Sequence, residues 1–151
     1  MITISNYKEE YAKAFKEFNM AWLEKYFTPE AYDIEVLSNP DKYIINKSGK
    51  IYFVLENNIP VGTVALMYND SDELEFTKMA VVETSQGKGF GKLLLECCIE
   101  NAIKMGAKEL ILYSNTKLIT AIQLYRKFGF IEIPVGNSAY KRADIKMIKK
   151  L

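Results

Sequence analysis

The sequence predicts an α+β fold in which helices cover a mixed β-sheet. Strand patterns that follow one another across short polar turns indicate an antiparallel part of the sheet. A single strand–helix–strand segment, Glu73 to Tyr113, indicates one parallel pair joined by a right-handed crossover. The 151 residues are the length of one domain, and neither a linker nor a repeat interrupts them, so residues 1–151 are expected to form a single domain.

The N-terminal third is predicted to be a short strand followed by two helices. Ile2 and Ile4 alternate with polar residues, as in a strand, and from Tyr7 to Leu23 apolar residues recur at helical spacing. Thr28-Pro29-Glu30 is typical of an N-cap and first helical turn, and Ser38-Asn39-Pro40 of a helix end. The expected apolar stripe of this second helix comprises Ala31, Ile34 and Leu37.

The remaining strands and helices are predicted from apolar residues that alternate with polar ones and from apolar residues that recur at helical spacing. Three strands are predicted at Lys50 to Glu56, Val61 to Tyr68 and Glu73 to Val82, with Asn57-Asn58 as the first turn. Helical stripes run from Leu93 to Met105, ending at Gly106, and from Leu118 to Phe128, ending at Gly129. Shorter strands are predicted at Leu110 to Tyr113, Phe130 to Ile133 and Ile145 to Ile148.

Composition excludes several classes of function. A net charge of +1 provides no global field for nucleic acid or a membrane surface. The chain has no histidine, which excludes Ser-His-Asp and Cys-His machinery and His-ligated metal sites. Cys97 and Cys98 are adjacent, poorly placed for a disulfide and too few for a zinc site; at least one is expected to be buried filler. We expect a cytoplasmic protein with no metal, nucleic-acid or membrane partner.

A glycine-rich loop, Gln86-Gly87-Lys88-Gly89-Phe90-Gly91, joins a predicted strand to a predicted helix. Glycines let the backbone approach a ligand closely, and the helix N-terminus presents free N–H groups and a positive dipole end. These features favour a pyrophosphate site, with Lys88 or Lys92 available at its rim. The alternative is a flexible turn without a ligand.

Spacing excludes two other glycine motifs. A dinucleotide fingerprint that begins at Gly87 requires glycine at position 92, which is lysine. A P-loop requires glycine five residues before Gly91 and Ser or Thr after Lys92, but these positions hold Gln86 and Leu93.

Two segments resemble the signatures of the GCN5-related N-acetyltransferase (GNAT) superfamily. The glycine loop resembles its Q/R-x-x-G-x-G/A motif, and Glu75 to Val81 looks like its cofactor strand. Asn115, followed by Ala121 to Phe130, resembles its second hallmark, N-x(5)-A-x-x-L-Y-x-x-x-G-F. The resemblance is strong over residues 50–133 and extends to the remainder by element order.

The resemblance implies a twisted sheet of six or seven strands, flanked by about four helices, whose central parallel pair splays apart. It also implies acetyl-CoA as co-substrate. The pantetheine arm would pair with the backbone of Met79, Ala80 and Val81, and the side chain of Asn115 would touch the cofactor. The residues implied at the pyrophosphate are Gln86, Gly87, Lys88, Gly89, Phe90, Gly91 and Lys92.

Two residues are candidates for acid–base chemistry. The resemblance places Tyr125 near the cofactor sulfur as a general acid, whereas its place on the apolar stripe also suits a core aromatic. Glu75 is the candidate general base or ammonium ligand; the alternative is a solvated strand carboxylate. Regular alternation would place Glu73, Glu75 and Thr77 on one face of the strand. The opposite face would hold Phe76, Lys78 and Ala80.

The acceptor would bind between the N-terminal helices and the C-terminal strands, by the same resemblance. The candidate substrate-binding residues are Trp22, Tyr26, Phe27, Tyr140 and Arg142. The alternatives are that Trp22 and Phe27 belong to the core and that Arg142 forms an ion pair with Asp144. We expect an acetyltransferase that acts on a small-molecule primary amine. Because many members of the family dimerise, the resemblance also allows a homodimer. A non-catalytic acyl-CoA sensor and a protein or peptide N-acetyltransferase stay open.

Overall fold

A seven-stranded mixed sheet runs through the molecule, and the computed structural model describes residues 1–151. Its strands lie in the order β1-β2-β3-β4-β5-β7-β6. Their bounds are β1 Ile2–Asn6, β2 Lys50–Glu56, β3 Ile59–Tyr68, β4 Leu74–Val81, β5 Glu109–Ser114, β6 Ile131–Ile133 and β7 Ile145–Lys150. Only β4 and β5 are parallel neighbours, and every other neighbouring pair is antiparallel. The predicted mixed sheet with one parallel pair is therefore confirmed.

Five helices flank this sheet. They are α1 Ala12–Tyr26, α2 Ala31–Ser38, α3 Pro40–Tyr43, α4 Phe90–Lys104 and α5 Ile119–Lys127. The predicted order of elements is confirmed, with the single turn α3 as the addition after α2. None of the helices is both long and apolar enough to cross a membrane.

Helix α2 begins later than the sequence predicted. Glu30, not Thr28, is its N-cap, and the Asp33 carboxylate accepts the Glu30 backbone N–H at 2.9 Å. This hydrogen bond satisfies a backbone donor that would otherwise be free at the helix start. The predicted stripe is also partly wrong, because Ile34 is exposed whereas Asp33 is fully buried. Asp33 can be buried because it has a charged partner, described below.

Two hydrophobic cores lie on opposite faces of the sheet. On one face, α4 and α5 contribute Leu94, Leu95, Cys98 and Ile122 to a cluster with alternate residues of the central strands. On the other face, α1 and α2 pack a second cluster. Its helix residues are Phe15, Leu23, Val36 and Leu37. Strand alternation divides the sheet between the two cores, since Tyr52 and Val54 belong to the first and Ile51 and Phe53 to the second.

Cys98 is fully buried in the first core, and burial raises the pKa of its thiol well above the ordinary value. This agrees with its prediction as core filler. The Asn57-Asn58 turn is also confirmed, and both residues have left-handed backbone, with φ of 51° and 68°. Two consecutive positive φ angles are typical of a type I′ hairpin turn.

Candidate active site

A cavity opens where the parallel strands separate. β4 and β5 are paired at a single position, Glu75 with Ile111, and beyond it the strands diverge. The predicted splay of the central pair is thus confirmed. The cavity, of about 640 Å³, is lined by residues 76–81 of β4, residues 112–114 of β5 and Asn115, which follows β5. Further parts of the wall come from the glycine loop, the C-terminal end of α1, Asp33 of α2, the N-terminal part of α5 and the segment before β7.

The glycine loop presents a row of unpartnered amides beside this cavity. Gly87 and Gly89 have φ of +81° and +82°, a conformation that other L-residues rarely adopt, and Gly89 is the N-cap of α4. The backbone N–H groups of residues 87–92 make no hydrogen bond to another part of the chain. Free amides at the positive end of a helix dipole are suited to bind an anion.

The two lysines of this segment lie outside the cavity wall. Lys88 contacts Glu56 at 3.4 Å and Lys92 contacts Glu96 at 4.0 Å, both as exposed pairs. Exposed ion pairs of this kind contribute about 0–1 kcal/mol, so neither lysine is firmly held. Gln86 does line the cavity, and its side-chain amide donates to the carbonyl of Val81 at 3.2 Å. This bond connects the loop to the end of β4.

Tyr125 brings an unpartnered hydroxyl to the cavity. Its ring lies edge-on to Phe76 and Phe130, with centroids 5.9 and 6.0 Å away, and its hydroxyl has no hydrogen-bond partner within the chain. Burial raises the pKa of Tyr125 to about 12. The group is therefore protonated at neutral pH and can donate a proton into the cavity.

Glu75 does not reach the cavity wall. Its side chain is buried in β4, and its carboxylate accepts a hydrogen bond from the Tyr140 hydroxyl at 3.1 Å. Burial raises the pKa of Glu75 although Lys78 and the Tyr140 hydrogen bond oppose this shift. The alternative of a solvated strand carboxylate is wrong, because solvent does not reach the group.

A β-bulge at Lys78 overturns the predicted faces of β4. Ala65 faces Thr77 and Thr63 faces Ala80, so β4 uses one residue more than β3 over this stretch, and Lys78 has φ of +59°. Phe76, before the bulge, belongs to the core that α4 and α5 cover. Met79 and Val81, after the bulge, pack on this same core. The prediction that Lys78 and Ala80 share the face of Phe76 is therefore wrong. Lys78 lies buried beside Glu75, and its Nζ donates to the Tyr140 hydroxyl oxygen at 3.0 Å.

An ion cluster connects α2 to the segment before β7. Asp33 accepts two hydrogen bonds from Arg142, at 2.6 and 2.9 Å, and lies 3.8 Å from the Nζ of Lys78. Glu30 accepts from the backbone N–H groups of Lys141 and Arg142 and from the Arg142 guanidinium. Burial alone would raise the pKa of Asp33, but the Arg142 and Glu30 hydrogen bonds and the neighbouring cations outweigh it and lower the pKa.

The suggested ion pair between Arg142 and Asp144 is wrong. Asp144 instead accepts hydrogen bonds at 2.8 Å from the backbone N–H and the hydroxyl of Thr116. Asn115 lies beside this contact, and its amide donates to the Arg142 carbonyl at 2.8 Å and accepts from the Lys117 N–H at 3.0 Å. Contact of Asn115 with a cofactor stays a prediction; in this structure its side chain holds two loops together.

Aromatic residues at the end of α1 form another part of the cavity wall. The rings of Tyr26 and Phe27 lie 5.5 and 5.6 Å from that of Trp22, and all three residues line the cavity. The Nζ of Lys117 lies 3.9 Å from the Phe27 ring centroid and donates to the Tyr26 carbonyl. Lys117 thereby joins the loop after β5 to the end of α1.

Sequence reasoning missed three residues of this site, namely Lys78, Asp33 and Lys117. A lysine within a strand that is otherwise mostly apolar, and an acid in the apolar stretch of α2, were signals of buried charge. The pairing of Asp33 with Arg142, across 109 residues, has no local signal. No group of three or more His, Cys, Asp or Glu side chains is placed to hold a metal ion.

The molecule is thus an α+β protein in which a helix N-terminus suited to bind an anion lies beside a cavity between two parallel strands. The family model described as an acetyltransferase (GNAT) domain matches residues 47–132. The uncharacterized N-acetyltransferase YvbK of Bacillus subtilis (strain 168) is 33% identical over 104 residues, 67% of each chain. The ribosomal protein bS18-alanine N-acetyltransferase of Escherichia coli (strain K12) is 30% identical over 128 residues, 81% of this chain and 86% of that one.

Solved structures show the same fold. A GNAT-family acetyltransferase of Staphylococcus aureus Mu50 superposes with a TM-score of 0.88 at 22% identity, over 99% of both chains. The PaiA N-acetyltransferase of Thermoplasma acidophilum, solved with coenzyme A, gives 0.75 at 18% identity over 100% of this chain and 99% of that one. The chain belongs to the GNAT acetyltransferase family.

Proposed function

We propose that this protein transfers an acetyl group from acetyl-CoA to a primary amine, by direct attack in a ternary complex. The observation that carries the proposal is the row of free amides at residues 87–92, beside a cavity that begins where β4 and β5 diverge. The acetyltransferases among its relatives, and the coenzyme A complex of the Thermoplasma protein, support the same cofactor.

The pyrophosphate of coenzyme A would lie against the free amides of Gly87 to Lys92. Two negative phosphates match several N–H donors and the helix dipole without requiring a bound cation. The pantetheine arm would then follow the open side of β4 along Met79 to Val81, which line the cavity. This path leads the thioester toward Tyr125.

The chemistry requires a neutral amine, a polarised carbonyl and a proton for the departing thiolate. The amine nitrogen would form a bond to the thioester carbon, and the C–S bond would break as the Tyr125 hydroxyl gives its proton to sulfur. The proton lost by the attacking nitrogen would restore Tyr125. No covalent enzyme intermediate is needed, and burial of Cys98 in the core makes it unsuitable as a nucleophile.

A small molecule is the acceptor that we propose, bound near Trp22, Tyr26, Phe27, Tyr140 and Arg142. Support comes from the aromatic wall that the end of α1 contributes to the cavity, where Lys117 joins the last turn of α1 to the loop after β5. A peptide N-terminus is the second candidate, favoured by the 30% identity to an enzyme named for the alanine of ribosomal protein bS18.

The test is release of coenzyme A from acetyl-CoA with a panel of amines, corrected for thioester hydrolysis without an amine. The panel contains amino acids, aromatic amines, diamines and a peptide that begins with alanine. Turnover of a small amine supports the proposal, and turnover of the peptide alone transfers it to the second candidate. A rise in melting temperature with coenzyme A but no turnover on any amine favours a non-catalytic acyl-CoA sensor.

A further inference from the structure

Lys78 is a buried primary amine on the wall of the cavity. Its side chain is 4% exposed, and it lines the cavity together with Asp33, Tyr140 and Arg142. Its backbone has φ of +59°, a conformation that costs about 1–3 kcal/mol in a residue other than glycine. A strained backbone and a buried charge both oppose stability, and their coincidence at one residue indicates a function.

The ammonium of Lys78 has three hydrogens but a single hydrogen bond within the chain. That bond goes to the Tyr140 hydroxyl oxygen at 3.0 Å. The nearest carboxylate oxygen, of Asp33, lies 3.8 Å from the Nζ, which is beyond hydrogen-bond distance. Two of the three hydrogens are therefore not held by the chain, and the amine is less firmly engaged than its burial alone would suggest.

The surroundings of Lys78 favour its neutral form. Burial lowers the pKa of Lys78, although the carboxylates of Glu75, Asp33 and Glu30 oppose this shift. The positive charge of Arg142 acts in the same direction as burial. Because only a neutral amine can attack a thioester, the lowered pKa increases the fraction of Lys78 that is able to react at a given pH.

The proposed path of the cofactor brings its thioester to the level of Lys78. Strand β4 runs toward the glycine loop, so a pyrophosphate at residues 87–92 would lie beyond its C-terminal end. A pantetheine arm that follows β4 back from Val81 to Met79 would then end at the preceding residue of the strand, which is Lys78. Tyr125, the proposed proton donor to the sulfur, lines the same cavity as Lys78.

Resting on the acetyl transfer proposed above, we propose that the protein acetylates its own Lys78. The neutral Nζ forms a bond to the thioester carbon, and the C–S bond breaks as the Tyr125 hydroxyl gives its proton to sulfur. The proton lost by Nζ restores Tyr125. The products are coenzyme A and a chain in which Lys78 carries an N-acetyl group.

The ion network around Lys78 consists of Glu30, Asp33, Glu75, Arg142 and Tyr140. It can tolerate the loss of the lysine charge. Asp33 and Glu30 keep their hydrogen bonds from Arg142. Glu75 keeps the hydrogen bond from the Tyr140 hydroxyl. Every carboxylate of the network therefore retains a donor, and the amide N–H of the modified lysine can still donate to the Tyr140 oxygen.

The test incubates the wild-type chain with acetyl-CoA and no added amine, and follows the intact mass and the peptide map by mass spectrometry. The expected result is one acetyl group per chain, on Lys78, formed with a rate constant that does not depend on protein concentration. With acetyl-CoA below saturation, coenzyme A at about ten times its Kd should slow the reaction about tenfold, because it occupies the same site. Lys78→Arg keeps the positive charge and should gain no acetyl group at this position.

Lys146 is the matched control within the same chain. Its side chain is 12% exposed and pairs with Glu73 at 3.2 Å, but it lies outside the cavity wall. It is expected to stay unmodified while Lys78 is acetylated. Acetylation of Lys146 or of exposed lysines as fast as that of Lys78 would show unassisted reaction with the thioester and overturn the proposal. A rate that coenzyme A does not lower would overturn it as well.

The same samples separate this inference from the proposed function. Turnover of an added amine with Lys78 left unmodified would overturn self-acetylation and leave the transfer to an external amine standing. Acetylation of Lys78 without turnover of any amine of the panel would support self-acetylation and overturn the external transfer. If neither reaction occurs, both are overturned. If Lys78→Arg does not fold, the wild-type peptide map decides alone, with Lys146 as its internal control.

Discussion

At the scale of single residues, two tyrosines of the candidate site differ in the hydrogen-bond partners of their hydroxyls. The Tyr125 hydroxyl has no partner in the chain and faces the cavity, whereas the Tyr140 hydroxyl is bound to Glu75 and Lys78. A free hydroxyl can donate to a bound ligand, whereas a hydroxyl that already has partners on both sides is held in place. The two tyrosines therefore differ in the hydrogen bonds that their hydroxyls can still form.

Replacing Tyr125 with Phe is expected to lower kcat by about 100-fold or more, since the thiolate would leave without a proton donor. The aromatic contacts with Phe76 and Phe130 do not involve the hydroxyl, so the fold should persist. Initial rates of coenzyme A release at saturating substrates measure the effect. Tyr52→Phe changes a buried tyrosine of the same core that does not line the cavity, and it should retain the wild-type rate. An unchanged kcat in Tyr125→Phe would remove the assignment.

The sequence predicted correctly which face of its helix Tyr125 occupies, but predicted the wrong face of β4 for Lys78. Both outcomes have a physical reason. Helical spacing is regular, so residue 125 could be assigned to the buried face of α5. Alternation along β4 fails at Lys78, because a lysine there adopts the left-handed backbone and adds a residue to the strand. No single-sequence pattern predicts such a bulge at a lysine.

At the scale of elements, the two ends of α4 offer a direct comparison. Gly89 precedes the helix and Gly106 lies just beyond its end, and both have φ of +82° with open space where a Cβ atom would lie. Alanine at either position therefore costs about 1 kcal/mol of backbone strain and meets no steric clash. Only Gly89 belongs to the row of free amides.

Gly89→Ala is expected to raise the Kd of coenzyme A by about tenfold, because a strained loop no longer directs all its amides to one anion; this equals about 1.4 kcal/mol. Gly106→Ala should lose the same stability and keep its affinity. Titration calorimetry with coenzyme A and denaturant unfolding of both variants separate the two effects. Equal affinities in the two variants would contradict the assignment of the loop to the pyrophosphate.

The start of α2 depends on Asp33 in two ways, since its carboxylate accepts the Glu30 N–H and pairs with Arg142. Asp33→Asn is expected to lower the free energy of unfolding by about 3–5 kcal/mol at pH 7, because Arg142 loses a buried charged partner. The pKa of Asp33 is lowered in the folded state, so its contribution is complete above the unfolded pKa of about 4 and disappears as pH falls through the folded value.

Urea unfolding of Asp33→Asn and wild type at several pH values checks this expectation. The difference between them should be constant above about pH 5 and shrink in more acidic solution. Asp41→Asn replaces an exposed acid in the nearby α3 that forms no ion pair, and it should change stability by less than about 0.5 kcal/mol. A difference that does not change with pH would mean that the charge of Asp33 contributes nothing.

At the scale of the whole molecule, the sheet joins two cores that belong to different parts of the chain. The N-terminal helices cover one face and α4 with α5 covers the other, while β2 and β3 contribute alternate residues to both. Sequence periodicity predicted the strands and the helices that cover them, because each element is locally regular, but it did not predict which helices lie on which face of the sheet. The ion network of Asp33 and Arg142 could not be predicted, since it joins residues that are adjacent only in the folded chain.

Since both cores share the same strands, residues 1–151 are expected to unfold as one cooperative domain. Trp22, the only tryptophan, lies on α1 at the cavity, so its fluorescence reports the N-terminal helices. Its urea transition should coincide with the far-ultraviolet circular dichroism transition of the whole chain. Loss of the tryptophan signal at lower urea would indicate that α1 and α2 unfold separately from the sheet.

The bulge in β4 also bears on how the chain tolerates change. Before Lys78, the odd-numbered residues Glu75 and Thr77 lie beside the ion network. After Lys78, the odd-numbered residues Met79 and Val81 pack on the core at the opposite face of the sheet. Inserting or deleting one residue between Glu75 and Ala80 would exchange these two sets, whereas most single substitutions would leave each set in place. Among relatives of this protein, the length of this segment should therefore vary less than its amino-acid identities.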